Sequence, residues 1–527
     1  MTTTRRPRSA ILGAAALAVG IVCATPFAYL ITQAASRFGD LGAILTEEDV
    51  LGLLGRSLGF AATVSIGAGI LGTATGWLIG RTDLPARRFW GVALALPLVI
   101  PSFVGAFTLI AALAPGGLLD EYVLGPLGIE RGRGRIEGFL PAVIVLTILT
   151  TPLVLLPVLG ALRALPASIA ESARSHGRRP AAAFRTIVLP QLRLPITAGM
   201  LLVFLYSLSE FGAVQLLRYD TLTRAIYSSR LDQSIATSLG LVLAVTAICA
   251  VAIDRVVARR IPAARPVGGR TAAPVRLGFW RIPALLLVGS NTLVGVIIPV
   301  AVLLQWSIRG IRNGSAGSFT EIPSLAAGSA SLAVIGGFVT VVAVLPVAYA
   351  TVRRRTSTGE IAGVLVTAGF ALPGLVVALA LTYFSLRAPV IDALYGTTSL
   401  LVVAYLVHFG SQGLRAASIA VESVPARLTD AARSLGASRT RRFLTVELPI
   451  MRSGLAAAFG LVLLSVLKEL PATLLLRPPG TDTLATRIFD ASQSGLYARA
   501  GVFSLTLLIL SAGLTFALTI RPMSRGT

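Results

Sequence analysis

Two carboxylates in apolar surroundings are the residues best placed to do chemistry in this chain. Glu210 stands in Leu208-Ser209-Glu210-Phe211-Gly212, and Glu469 stands 259 residues later in Leu467-Lys468-Glu469-Leu470-Pro471. An ionisable group inside a long hydrophobic stretch costs several kcal/mol unless it faces a polar cavity or a partner. Two readings follow. Ser209, Glu210, Lys468 and Glu469 line a polar path through the apolar region, or Glu210, Lys468 and Glu469 form a buried ion-paired cluster that fixes packing. Other chemistries find no residues to carry them. Lys468 is the single lysine of the chain, so the phosphate-cradling Gly-x-x-x-x-Gly-Lys-Ser/Thr loop is absent. His176 and His408 are too far apart for a recognisable zinc site. Cys23 and Cys249 each fall in an apolar run and suggest neither a disulfide framework nor a thiolate metal site. No Ser-His-Asp or nucleophile-elbow pattern argues for catalysis. The chain is expected not to be an enzyme and to hold no cofactor of its own.

The elements that carry these groups are membrane spans. Apolar residues make up 55% of the 527 positions and charged residues only 13%, against about 25% charged in a soluble domain. Mean hydropathy is +0.82. Runs of about 20 residues, enough to cross the hydrocarbon layer, fall near 10–35, 57–80, 89–114, 139–162, 195–217 and 237–258. A second set falls near 282–308, 329–352, 361–384, 396–420, 453–476 and 501–520. The first run, behind Arg5, Arg6 and Arg8, is too long for a secretory leader and reads as a span. Glu210 and Glu469 are expected about two-thirds of the way along the fifth and eleventh spans. The net charge of +23 would suggest nucleic acid in a soluble protein. Here arginine gathers in alternate loops, at Arg81, Arg87 and Arg88, from Arg255 to Arg281, at Arg353 to Arg355 and at Arg521 and Arg525. Loop retention on the cytoplasmic side accounts for that better than nucleic acid, and places both termini inside. The loop 115–138, with Arg131, Arg133 and Arg135 offset by Asp120, Glu121, Glu130 and Glu137, is the exception. A Pro-, Gly- and Arg-rich stretch over 261–281 reads as a cytoplasmic linker. It joins a first half, 1–260, to a second, 282–527.

The halves repeat. Residues 171–190 read ESARSHGRRPAAAFRTIVLP and residues 430–449 read DAARSLGASRTRRFLTVELP. At the same shift of 259, Glu171 falls on Asp430, Ala173 on Ala432, Gly177 on Gly436, Ile187 on Val446, and Leu189-Pro190 on Leu448-Pro449. An acidic, alanine-rich start favours a helix, a glycine six residues on suits its end, and Leu-Pro marks entry into the next apolar run. Each copy predicts a helix, a turn and a second short helix between spans. Ala95-Leu96-Pro97 echoes Ala371-Leu372-Pro373, each early in the third span of its half. Six spans separate the copies, so the repeat is parallel, about an axis along the membrane normal.

This motif resembles the EAA loop of bacterial ABC importer permeases: Glu-Ala-Ala, three residues, Gly, nine residues, Ile-x-Leu-Pro. Glu171, Ala173, Gly177, Ile187, Leu189 and Pro190 match it once, with Ser172 and Pro180 departing. Asp430, Ala431, Ala432, Gly436, Leu448 and Pro449 match it again, with Asp for Glu and Val446 for Ile. A soluble DNA-binding helix-turn-helix, the other reading of a basic helical repeat, lacks a soluble domain to hold it. The resemblance implies an all-α integral membrane protein of about twelve transmembrane helices, as two tandem six-helix repeats of the type I ABC importer permease fold. It implies that the loops couple to two copies of an ATPase subunit, which use ATP and Mg, and that an extracytoplasmic substrate-binding protein delivers the cargo. The outer segments 218–227 and 481–489, together with 468–478, are most similar to fused permeases of iron(III) import. In that light Tyr219, Asp220, Tyr227, Asp482 and Arg487 are candidate contacts of substrate or binding protein. Ferric ion is a hard cation that prefers oxygen donors, which Glu210, Glu469, Asp220, Asp482, Tyr219 and Tyr227 would offer in transit. Docking of the binding protein ranks above direct coordination for the outer loops. Thiamine, an aminophosphonate or another small solute is the alternative cargo, and an ion-coupled secondary transporter using Glu210 and Glu469 is the alternative class.

Overall fold

A computed structural model describes residues 7–36, 49–128, 136–164, 184–260, 274–315, 317, 319–369, 372–388 and 392–515. Its helices run, in the first half, α1 Pro7–Ser36, α2 Val50–Arg81, α3 Arg87–Ala93, α4 Ser102–Leu113, α5 Phe139–Ala164, α6 Leu189–Leu208, α7 Gly212–Leu216, α8 Leu222–Ser228 and α9 Gln233–Arg260. The second half follows with α10 Arg281–Thr292, α11 Ile298–Arg312, α12 Glu321–Ala348, α13 Ser357–Gly369, α14 Gly374–Arg387 and α15 Thr398–Glu422. It ends with α16 Ala426–Ser434, α17 Arg439–Arg442, α18 Leu448–Leu467, α19 Pro471–Leu476, α20 Leu484–Gln493 and α21 Tyr497–Thr515. No β-strand occurs among the described residues, only an isolated bridge between Thr82 and Val275.

Ten helices are long and apolar enough to cross a membrane, or up to 12 when each of two bent pairs counts as one span. All twelve expected spans have a counterpart, but four differ in shape. The spans near 89–114 and 361–384 are not straight. Each is a helix pair bent by 96° and 108°, and proline is the common cause. Pro101 precedes α4 and Pro373 precedes α14, with nearly identical extended backbone (φ −59°, ψ 145° and φ −56°, ψ 144°). Proline cannot donate into a helix and pushes the residue before it out of helical geometry. Pro373 therefore corresponds to Pro101, and the expected pairing of Ala371-Leu372-Pro373 with Ala95-Leu96-Pro97 is four residues out of register. Likewise the spans near 195–217 and 453–476 stop early, at Leu208 and Leu467. Ser209-Glu210 and Lys468-Glu469 lie in the breaks that follow, not two-thirds along continuous helices.

Just before each Leu-Pro, the chain makes one wide turn, Phe184–Val188 in the first half and Phe443–Glu447 in the second. A widened turn lets a helix run on through the proline ring that an ordinary i−4 hydrogen-bond pattern would reject. The two turns are 259 residues apart, the shift read from the sequence.

The halves are knitted together by exchange of their first spans. α1 packs on α13 and α14, and α11 packs on α4. A Cβ added to Gly20 would lie 3.0 Å from the Ala362 backbone, so the helices meet at backbone distance. One large core, including Phe103, Phe107, Phe211, Tyr405 and Phe489, runs through both halves.

Candidate translocation path and coupling loop

The two breaks are built alike. Once α6 ends, the Glu210 carboxylate turns back and accepts the Ala213 amide at 2.8 Å, serving the first turn of α7. The Glu469 carboxylate accepts the Ala472 amide at 3.0 Å and serves α19 in the same way. First-turn amides have no partner within their own helix, and a carboxylate suits that end of the dipole. Backbone carbonyls are held too: Thr223 donates to Glu210 O (2.6 Å) and Thr473 to Glu469 O (2.9 Å). Tyr405 hydrogen-bonds Thr473 at 2.7 Å. Both glutamates are buried, at 7% and 9% exposure.

The decoration differs. Ser102, the first residue after the Pro101 bend, donates to Glu210 Oε1 at 2.9 Å. Its counterpart is Gly374, where even a Cβ would fall 2.7 Å from Glu469 Oε1 and 3.4 Å from His408 Nε2. The segments also abut one another. A Cβ on Gly212 would stand 3.1 Å from Leu470 Cδ2 and 2.8 Å from Phe103 Cβ, and the Phe211 and Phe489 rings are 5.8 Å apart. Glu210 and Glu469 thus flank the contact between the halves. Ser209 precedes Glu210 as the residue ending α6. Lys468 does not pair with either glutamate. Its Nζ donates to the Leu98 carbonyl at 2.9 Å, across the interface into the first half. The carbonyls of the short 3-10 turn Leu96–Val99 are freed by the bend ahead of Pro101, and one of them takes the lysine. The buried ion-paired cluster is therefore not formed. Sequence reasoning missed Ser102, Gly374 and Thr473; the signal for the first two was a small residue directly after a mid-span proline.

Of the two EAA loops, the second is described. α16 carries Asp430, Ala431 and Ala432, and Asp430 pairs with Arg433 at 2.9 Å on the exposed face. Gly436 has φ +77°. The Gly436 amide bonds Arg433 O and the Ala437 amide bonds Ala432 O, both at 3.0 Å, the pair of bonds that a left-handed glycine makes when it ends a helix. The expected helix, turn and short helix are all present, the last as α17 capped by Ser438. Leu435 is left 88% exposed at the tip. The loop is tied to the bundle at Glu447, which accepts from the Tyr349 hydroxyl at 2.8 Å and pairs with Arg442 at 3.0 Å. Leu448 and Pro449 then open α18, as Leu189 and Pro190 open α6. Ile187 sits in the wide turn before α6. Glu171, Ala173, Gly177 and His176 lie outside the described residues.

The outer segments are anchored symmetrically as well: Ser57 Oγ of α2 accepts the Leu222 amide at 2.9 Å, and Ser329 Oγ of α12 accepts the Leu484 amide at 2.8 Å. Their polar groups do not converge. Tyr219 packs between Phe60 and Phe139, 5.5 Å from each ring. Asp220 pairs with Arg224. Tyr227 stacks 4.7 Å from Phe211, with the Arg230 guanidinium 4.3 Å over its ring. Asp482 pairs with Arg477 and, at 3.1 Å, with Arg487. Among the described residues, no group of three or more His, Cys, Asp or Glu could hold a metal ion.

The chain matches the family described as binding-protein-dependent transport system inner membrane component, over residues 56–262 and again over 343–521. The chain belongs to this family. It is the permease of an ABC importer, a multi-pass inner-membrane transport subunit of two family repeats, and the family implies an ATPase and a substrate-binding protein as partners. It is 30% identical over 511 residues to the Fe(3+)-transport system permease protein FbpB 2 of Haemophilus influenzae, covering 94% of each chain. The sulfate transport system permease protein CysT of Salmonella typhimurium is 26% identical over 38% of this chain and 72% of its own. The molybdenum transport system permease protein ModB of Mycobacterium tuberculosis is 28% identical over 39% and 78%. Among solved structures, the inward-facing MetNI methionine ABC transporter matches 39% of this chain and 96% of its own, at 18% identity and a TM-score of 0.33.

Proposed function

We propose that this permease imports iron(III), with Glu210 and Glu469 flanking the path at the contact between the halves. The observation that carries the cargo assignment is the end-to-end match, 94% of both chains, with an Fe(3+) permease. The sulfate relative, by contrast, covers 38% of this chain. Two buried carboxylates with no ion-pair partner among the described residues suit a passing cation and oppose an oxyanion. Each oxygen that serves a helix end keeps its orientation, so the cation meets preplaced hard donors. The outer loops, whose charges are already paired with arginine, serve the binding protein rather than the ion.

Transport proceeds by alternating access. Two ATPase copies dock below, one on the loop around Gly177 and one on that around Gly436, with both chain termini on the cytoplasmic side. ATP closes the ATPases, the coupling helices carry that motion upward through α6 and α18, and the breaks at their far ends part. Hydrolysis resets them, and no nucleotide or cofactor binds this chain. The test of cargo is uptake of labelled ferric ion and labelled thiamine by cells lacking the chain and by cells given it back. Restored, ATP-dependent ferric uptake alone is the expected result; thiamine uptake, or neither, removes the iron assignment. Coupling has its own test. Charge reversal at Glu171 and Asp430, or bulky replacement of Gly177 and Gly436, is expected to abolish uptake while the protein still reaches the membrane.

A further inference from the structure

We infer that the junction between the halves binds the headgroup of an anionic phospholipid in the cytoplasmic leaflet. The junction is a backbone clip. Thr82 bridges Val275, the Val275 amide donates to Arg81 O at 2.8 Å, and the Asp83 amide donates to Val275 O at 3.1 Å. The Leu277 amide then donates to Asp83 Oδ1 at 2.9 Å. Leu84, Leu94, Leu277, Ala284 and Val288 close a small core beneath it, and α10 packs against α2 and α3.

The clip brings together arginines from distant parts of the chain. Arg87 and Arg88 open α3, while Arg276 and Arg281 flank the start of α10; all four are exposed. None has a hydrogen bond or ion pair among the described residues. Asp83 is the sole acid in the stretches 74–95 and 274–292, and its Oδ1 already receives the Leu277 amide. Aromatic rings accompany the charges. Phe279 is 88% exposed, Trp280 68% and Phe89 60%. The indole of Trp280, with one apolar face and one polar N–H edge, prefers the headgroup level of a bilayer, and Phe89 and Phe279 add apolar surface beside it. The site lies where the spans Val50–Arg81 and Gly278–Arg312 end. Trp77 stacks 5.2 Å from Phe184, which lies near the end of the first EAA stretch, so this is the end of the bundle that faces the ATPase. A phosphate with acyl chains fits the pattern: the arginines take its charge and the rings lie beside its glycerol and upper chains. An ATPase surface would face the water-exposed loops, not a ring of aromatic residues at span ends.

The experiment reconstitutes the full chain in vesicles of phosphatidylglycerol and phosphatidylcholine, extracts it gently and counts retained lipid by native mass spectrometry. Wild-type protein is expected to retain phosphatidylglycerol with a preference of about tenfold or more. Arg87→Gln/Arg276→Gln is expected to lower that preference at least about fivefold. Arg354→Gln/Arg355→Gln removes the same charge from another exposed cytoplasmic site and is expected to change it less than about twofold. Absence of a phosphatidylglycerol preference in the wild type would overturn the site without any variant. An equal loss in both double variants would also overturn it, leaving only general attraction between a basic face and an acidic leaflet.

Discussion

The break at Glu210 and the break at Glu469 share a backbone and differ in chemistry. In each, a helix stops, a glutamate turns back to serve the next short helix, and a bent span supplies the neighbouring residue. The first half puts Ser102 against its carboxylate, whereas the second puts Gly374, with His408 behind it. The first has Ser209 before its glutamate; the second has Lys468, which reaches across to Leu98. The shared part is the backbone frame at the contact between the halves. The unshared part gives one carboxylate a serine hydroxyl as a second donor and leaves the other with a bare backbone at its side. A duplicated frame thus holds two carboxylates in different surroundings at the contact between the halves.

That contrast can be broken in graded steps. The largest effect is expected from Glu210→Gln and Glu469→Gln made together. Glutamine keeps an oxygen for the Ala213 and Ala472 amides, so the fold survives while both charges go. Ferric uptake should fall on the order of a hundredfold at unchanged membrane abundance. Alanine at either position should instead lower abundance too, because a buried amide left without an acceptor costs about 1–3 kcal/mol.

Next is Gly374→Ser, which gives the second break the decoration of the first. Its Cβ meets Glu469 Oε1 at 2.7 Å, well inside ordinary contact, so the carboxylate must shift. Uptake should drop roughly tenfold. Lys468→Met, which loses the bond to Leu98 but keeps the volume, should cost about 1.5–3 kcal/mol of stability, read as a lower melting temperature in detergent, and a few-fold in uptake. The mildest in uptake is Ser102→Gly, which makes the first break like the second; it removes one hydrogen bond to a carboxylate, about 1.5–3 kcal/mol of stability, and leaves space rather than a clash. If Gly374→Ser and Ser102→Gly changed uptake equally, the two breaks would be interchangeable and the contrast would be wrong.

How much of this was legible beforehand depended on whether a signal was local. The repeat at 259 residues was visible because the two EAA segments keep the same residue types at the same spacing, and the paired wide turns before Leu189 and Leu448 keep that spacing in three dimensions. Span positions followed from hydropathy alone. Span shape did not. A proline inside an apolar run announces a possible bend, yet Pro152 and Pro157 lie within the unbroken α5, so tertiary packing decides which proline bends the chain. Alignment by short words also failed where the core tolerates drift: Ala371-Leu372-Pro373 matched the wrong proline, while Ser57 with Ser329 and Pro101 with Pro373 agree at a shift of 272. The glutamates were found by charge. Their neighbours were not, because a small residue after a mid-span proline marks Ser102 and Gly374 only once it is known which prolines bend the chain.

The account rests on Glu210 and Glu469 acting on the cargo rather than on the ATPase. The direct measurement is ferric uptake per ATP hydrolysed in proteoliposomes containing the ATPase and the binding protein, for the wild type and for Glu210→Gln/Glu469→Gln. The account predicts that binding-protein-stimulated hydrolysis stays within about twofold while uptake per ATP falls at least tenfold. Undiminished uptake per ATP, or hydrolysis lost in step with uptake, would contradict it.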